Sequence, residues 1–349
     1  GGPKRIQIAW KATLPLAAAL ALGIGGLWVI REAARPLGLL IVAITLAEAM
    51  EPLVSRLERR MARGLAIAVV ILGLLLCLLI VGWLVLPTLV AQGEALVARA
   101  PQIVTAVQGW LHRADATTHG TVSRLVTDLA TAVTHFVVSL PAQLFSAVAG
   151  VLVVIFLSIY WLAGAPGLAR FTLSLVPPVR RQGVSTLVHD MGQAMGGYVR
   201  GAAINALVMA ILAAIGLAII GVNYPVALGV ITGLGEPFPY IGPFAAAVPV
   251  VLVALVQSPT KALITLGFYC ALQEFEGHIL TPNIMERQTS IPQTLVILAI
   301  IVGAAVGGLL GIMVAIPLAA AIHVFALRVI APAVRQATGA VPSGAAEYR

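Results

Sequence analysis

The sequence predicts an all-helical, polytopic membrane protein, and three observations predict it. Hydrophobic residues make up 60% of the chain and charged residues 10%, against about 25% charged in a soluble domain. The mean hydropathy is +1.04. Uncharged apolar runs recur along the 349 residues, several of them long enough to cross a hydrocarbon core of about 30 Å as helices. The net charge of +8 would suggest nucleic acid in a soluble protein. Here much of the excess lies in short loops between apolar runs, where it orients the chain, and no nucleic-acid partner is expected. Cys77 and Cys270 both fall inside apolar runs, which predicts two reduced, buried thiols and no disulfide framework.

Residues 1–86 read as a three-span unit, with spans at 12–30, 36–54 and 65–86. Lys4, Arg5 and Lys11 precede the first span, and Arg56, Arg59, Arg60 and Arg63 form the densest positive cluster. Placing both groups in the cytoplasm satisfies the positive-inside rule, with Arg31 and Arg35 in minor dissent. Residues 15–30 lack a small-residue cleavage site and precede another span, so no cleavable leader is expected. Glu48, one turn from the end of its span, can snorkel or pair with Arg56 or Arg59.

Residues 87–141 are then external. Apolar residues recur there at helical spacing, from Leu96, Ile103 and Val107 to Leu125, Leu129 and Val133, on either side of a polar turn at 113–120. This pattern predicts a small extracytoplasmic hairpin of two amphipathic helices. His112, His119 and His135 lack metal-ligand spacing and read as surface or packing histidines. Residues 142–163 hold a fourth span. Residues 164–200, with Arg170, Arg180, Arg181 and Asp190, read as amphipathic helices at the cytoplasmic face.

Residues 201–330 form the unit that carries function. A fifth span, 203–220, holds Asn205 near its cytoplasmic end. The apolar run 226–257 is interrupted at 233–243, where three prolines and three glycines fall within eleven residues, Gly235, Pro237, Pro239, Gly242 and Pro243 among them. Proline lacks the N–H and clashes with the preceding turn, and glycine is entropically costly, so a helix cannot continue through this stretch. A carboxylate, Glu236, sits at the break. Irregular backbone and charge at membrane depth are tolerated only where they are buried in protein or line a watery cavity. A further span, 261–279, ends in Gln273, Glu274, Glu276 and His278, followed by Thr281 and Asn283. The second broken run, 294–324, exceeds one hydrocarbon core by roughly half and is cut at Gly303, Gly307, Gly308 and Gly311. Arg328 and Arg335 finish inside, and 331–349 is a cytoplasmic tail.

Two topologies fit. If both broken runs cross the membrane, there are eight spans and two parallel repeats. If both are re-entrant helical hairpins, there are six full spans and two inverted units. Half-helix lengths and the inverted-repeat habit of transporters favour the hairpins.

Of thirteen acidic residues, most fall in loops, at span ends or in interfacial segments. Glu236, Glu274, Glu276 and Glu286 remain, all in the C-terminal unit. Gln273, Glu276 and Leu280 share one helical face, Glu274 and His278 another. Carboxylates beside broken helices are what proton- or cation-coupled transport needs, because a carboxylate and unwound carbonyls can hold H⁺ or Na⁺. Glu236 and Glu276 are the candidates for the coupling ion, with Asn205, Tyr240, Gln273, Thr281 and Asn283 as polar ligands. The competing reading is a buried salt bridge of Glu274 or Glu276 with Lys261 or Arg287, holding helices together. Glu286 beside Arg287 reads as a loop pair, and His323 as structural. Apart from the coupling ion no cofactor is expected, and no metal site. Metalloprotease, nucleophile-elbow, Walker and Cys-x-x-Cys motifs are absent, so an enzyme is not expected.

These residues carry a resemblance. Tyr198-Val199-Arg200-Gly201, then Glu236 through Pro243, Gln273 with Glu276-Gly277, Leu280-Thr281-Pro282-Asn283 and Gly311 through Ala319 together resemble the autoinducer-2 exporter family of bacterial membrane proteins. The order of elements fits the whole chain, and Pro239-Tyr240-Ile241-Gly242-Pro243 is the most specific match. Pro237 stands where the family usually has an aliphatic residue. Ser290-Ile291-Pro292 stands where many members have a histidine before the proline, so no role for that histidine carries over. The resemblance implies secondary transport, as export of a small signalling molecule or, in other members, Na⁺(Li⁺)/H⁺ antiport, and it implies homo-oligomers. The expectation is an ion-coupled exporter of a small polar solute such as autoinducer-2, in the bacterial inner membrane and in contact with its lipid, with both termini cytoplasmic. A cation/proton antiporter and a non-transporting scaffold are the alternatives.

Overall fold

The computed structural model describes Ala33 and residues 36–114, 119–239, 241–288 and 291–338. The expected first span, 12–30, lies outside them. Ten α-helices follow in order among the described residues: α1 (Pro36–Glu58), α2 (Arg63–Ala114), α3 (His119–Ser174), α4 (Pro178–Ile220), α5 (Pro225–Gly235), α6 (Ile241–Gln257), α7 (Pro259–Phe275), α8 (Thr281–Gln288), α9 (Gln293–Phe325) and α10 (Ala331–Thr338). Single π-helical turns, Glu276–Leu280 and Ala326–Ile330, join α7 to α8 and α9 to α10. Five stretches are long and apolar enough to cross a membrane: α1, Arg63–Pro87, Val148–Ser174, α4 and Gln293–Thr338, the last of them counted across a reversal at Gly308. The protein is a multi-pass helical membrane protein.

Several helices run past the limits that polarity suggests. The third apolar run does not stop at Leu86: α2 continues through Pro87 and Pro101 to Ala114. The helix α3 takes in the expected outer helix, the fourth span and the start of the cytoplasmic segment. A change of side-chain polarity moves a helix from one solvent to another but gives the backbone no reason to stop. A missing N–H or a reversed φ does. The break between α3 and α4 falls at Pro177-Pro178, where Pro177 is extended (φ −53°, ψ 139°) and Pro178 opens α4. At its other end α4 stops at Gly221, whose φ of +79° suits glycine. There Val222 N–H reaches back to the Leu217 carbonyl at 2.9 Å, and Lys261 Nζ covers the Gly221 carbonyl at 2.6 Å.

Two cores form. In the first, Ala47, Met50 and Val54 of α1 meet Ala66, Ile67 and Ile71 of α2 and Ile155 and Leu162 of α3. Arg63 ties their ends: its guanidinium takes both Glu51 oxygens at 3.2 and 3.1 Å, Glu58 at 2.9 Å and the Leu162 carbonyl at 2.9 Å. In the second, Leu217 of α4, Leu228 of α5, Val250 and Val253 of α6 and Tyr269 of α7 pack together. A Cβ on Gly229 or Gly233 of α5 would overlap the Ala210 or Ala206 carbonyl of α4, so small residues let these two backbones meet closely.

The cysteines depart from expectation. Both thiols are free, but Cys77 and Cys270 are exposed rather than buried. In a membrane protein an apolar run has an outer face turned to lipid, so apolar surroundings do not mean burial within the protein.

Candidate functional site

Three elements converge on one buried polar cluster. The helix α4 supplies Asn205, the turn after α5 supplies Glu236, and the end of α7 supplies Glu276. A single amide nitrogen, Asn205 Nδ2, donates to Glu236 Oε2 at 2.9 Å and to Glu276 Oε1 at 2.8 Å. Asn205 and Glu236 are 5% and 7% exposed, while Glu276 is half-buried.

Local chemistry sets each position. The chain reverses in a turn in which Phe238 N–H bonds to the Gly235 carbonyl at 3.0 Å and Gly242 N–H to the Phe238 carbonyl at 2.7 Å. The reversal brings Gly235 and Gly242 so close that a Cβ on either would overlap the other's carbonyl. Two glycines are therefore required where α5 and α6 cross, and the turn carries Glu236 back toward α4. Glu276 opens the π-helical turn, where Thr281 N–H bonds back to its carbonyl. Such a turn re-aims side chains within an otherwise regular helix.

Bond counting shows what the cluster lacks. Both Asn205 amide protons are used, yet Asn205 Oδ1 and Glu236 Oε1 are buried without a hydrogen-bond partner. The cluster therefore has surplus acceptors, and a cation or a hydrogen-bond donor would satisfy them. Tyr198 and Tyr269, both buried, lie within electrostatic range of Glu236.

The other expected ligands are dispersed. Gln273 is half-buried, with an unpartnered Nε2, and Thr281 is half-buried at the start of α8. Asn283 is exposed and spends its amide on the Ile279 carbonyl at 2.6 Å, away from the cluster. Tyr240 lies outside the described residues. The rival salt bridge with Lys261 is not formed, because Lys261 Nζ goes to the Gly221 carbonyl and to Gln257 Oε1 at 3.0 Å. The side chains of Glu286 and Arg287 lie outside the described ones. Glu274 and His278 pair at 3.2 Å on an exposed face. Glu48 does not reach Arg56 or Arg59: it accepts from Trp161 Nε1 at 3.1 Å, and its carbonyl accepts from Arg200 at 3.2 Å.

Sequence reasoning missed a second polar contact. Tyr269 of α7 and Thr232 of α5 are joined hydroxyl to hydroxyl in the interior. The signal was available: Thr265, Tyr269, Gln273 and Glu276 form a polar stripe at steps of four, four and three along one face of α7.

The second broken run also turns back on itself. Gly308 has φ +56°, ψ −134° within α9, and Gly303 meets Gly311 backbone to backbone. Both limbs, with Leu37, Gly38 and Ile41 of α1, line an apolar cavity of about 580 Å³ that takes in Gly303, Gly307, Gly311 and His323. Among the described residues none of the acidic side chains lines it.

Membrane-length helices thus surround a carboxylate pair, one member buried and one half-buried, beside irregular turns. The chain belongs to the AI-2E family of transporters: the profile described as "AI-2E family transporter" matches residues 17–330. It is similar to "Putative transport protein YrrI" of Bacillus subtilis, 33% identical over 150 residues that cover 43% of this chain and 42% of that one. It is similar to "Putative transport protein YueF" of the same organism, 24% identical over 307 residues and 83% of each chain. A third relative is "Putative transport protein MT0215" of Mycobacterium tuberculosis, 28% identical over 326 residues, 88% of this chain and 86% of that one.

Proposed function

We propose that this chain is an ion-coupled secondary transporter of the bacterial inner membrane that exports a small polar solute such as autoinducer-2. In this reading Glu236, Glu276 and Asn205 hold the coupling ion. The observation that carries it is the single amide bridging two carboxylates from separate elements. Oxygens that each lie within about 3 Å of one nitrogen are at most about 6 Å apart. Two negative charges at that separation repel by roughly 3 kcal/mol at an effective dielectric of about 20. A proton or a monovalent cation between them removes the repulsion, so binding and release of that ion is linked to how closely α5 and α7 approach.

The two broken runs are read as re-entrant hairpins, giving six full spans, cytoplasmic termini and alternating access around the turns. Helix lengths support this: α5 and α6 have 11 and 17 residues, about 17 Å and about 26 Å, each short of a hydrocarbon core of about 30 Å. The family resemblance supports a homo-oligomer.

A Na⁺(Li⁺)/H⁺ antiporter is the second reading, favoured by the surplus acceptors Glu236 Oε1 and Asn205 Oδ1. Proteoliposomes with a trapped pH dye separate the two. Proton flux evoked by Na⁺ or Li⁺ alone, and lost in Glu236→Gln, selects antiport. Solute export without cation-evoked flux selects the exporter. Full activity in Glu236→Gln and Glu276→Gln, with activity abolished by deleting residues 87–141, would turn the argument to a scaffold that binds a partner outside the membrane.

A further inference from the structure

The carboxylate pair has a neighbour that its chemistry does not use. Thr232 lies one turn before Glu236, and Tyr269 lies seven residues before Glu276, so each carboxylate has a hydroxyl on its own side of the gap between α5 and α7. Those hydroxyls meet, with Thr232 fully buried and Tyr269 2% exposed. With Thr232 Oγ1 donating to the Leu228 carbonyl at 3.0 Å, Tyr269 is the donor to Thr232. In this arrangement the donor chain ends on a backbone carbonyl, which neither holds nor passes on a proton. What remains is a mechanical link between the two elements that present Glu236 and Glu276.

We propose that Tyr269 is a positioning residue for the carboxylate pair: through Thr232 it fixes the separation of Glu236 and Glu276, and so the size of the cation they accept. This rests on the reading of that pair as the ion site. The two helices are joined at two levels, hydroxyl to hydroxyl at one and carboxylate–amide–carboxylate at the next. Asn205 Nδ2 keeps the two carboxylate oxygens within about 6 Å of each other, but an amide on a third element leaves the distance between the helices free below that limit. The direct Thr232–Tyr269 bond sets that distance. An ion site whose two acidic arms are held at one spacing discriminates ions by radius, and one whose arms are free to close or spread discriminates less.

Tyr269→Phe is a clean deletion, because Thr232 keeps its bond to Leu228 and no buried donor is orphaned. Purified full-length protein is compared in proteoliposomes with a trapped pH dye, titrating Li⁺, Na⁺ and K⁺ in turn. Tyr269→Phe is expected to fold with a thermal midpoint near the parent's and to keep its maximal flux. Its ratio of apparent Li⁺ to Na⁺ affinities is expected to move roughly three- to tenfold, the equilibrium effect of one hydrogen bond. On the parental background Thr232→Ser, which retains the hydroxyl, should keep the parental ratio, and Thr232→Val should shift it as Tyr269→Phe does. A parental selectivity ratio in Tyr269→Phe, with flux intact, overturns the positioning role while leaving the ion site standing. If the parent protein itself gives no cation-evoked flux, the inference about cation size is overturned; the ion site falls with it only if Glu236→Gln also leaves solute export intact.

Discussion

Gly303 and Gly311 touch backbone to backbone, although a straight helix would hold residues eight apart about 12 Å from each other. The reversal between them sits at Gly308, whose φ of +56° and ψ of −134° belong to a region that side chains with a Cβ avoid. The surroundings of Gly307 and Gly308 are open alike, so conformation alone separates them. Gly308→Ala is expected to cost about 1–3 kcal/mol, and Gly307→Ala less than about 0.5 kcal/mol. Thermal midpoints in detergent check this. Equal midpoints for the two variants would mean that the chain does not turn at Gly308.

Replacing Asn205 should be more damaging than its neutral side chain suggests. Asn205→Leu leaves two carboxylate oxygens without their donor in a buried site, and each such bond contributes about 1.5–3 kcal/mol. Transport should be lost and the midpoint lowered. Adding Glu236→Gln to Asn205→Leu should recover part of that stability, because it removes an uncompensated charge. A double-mutant cycle on thermal midpoints measures the coupling, and strict additivity would contradict it.

Arg63 offers a test of geometry apart from charge. It engages Glu51 with two nitrogens, Glu58 with one of them and the Leu162 carbonyl with the other. Lysine carries the same charge but cannot form this fork. Arg63→Lys should therefore lower stability by about 1 kcal/mol, a value reduced for partial exposure. Chemical denaturation of the detergent-solubilised protein would detect it, and an unchanged midpoint would mean that charge alone suffices.

At the contact between α1 and α4, a Cβ on Gly196 would lie within the Glu48 backbone. Gly196→Ala should separate the two helices and weaken the Arg200 and Trp161 bonds to Glu48. Trp161 fluorescence is the readout, expected to shift as the indole N–H loses its carboxylate partner. An emission spectrum identical to the parent's would show that the contact adjusts without moving.

Much of this was legible in local chemistry. The breaks at 233–243 and 303–311 follow from glycine and proline themselves, and the chain turns at residues 236–239 and at Gly308. Asn205, Glu236 and Glu276 stand out because polar groups are scarce in such runs. Their meeting at one nitrogen was not legible, because the register of α4 against α5 depends on Gly229 and Gly233 fitting Ala206 and Ala210. Tyr269 and Thr232 were passed over because single hydroxyls in apolar runs are ordinary, and only their joint placement gives them meaning. The extents of α2, α3 and α4 escaped because polarity changes along them while the backbone does not.

One helix makes these contacts interdependent. Along α4, Asp190 pairs with Arg328, Gly196 seats the Glu48 backbone and Asn205 spans the two carboxylates, all on a rod that no proline interrupts. Rolling that rod by one residue, about 100°, would unseat all three together. A roll of that rod would therefore carry the carboxylate bridge, the seat of the Glu48 backbone and the Arg328 ion pair together, as lobes on one shaft.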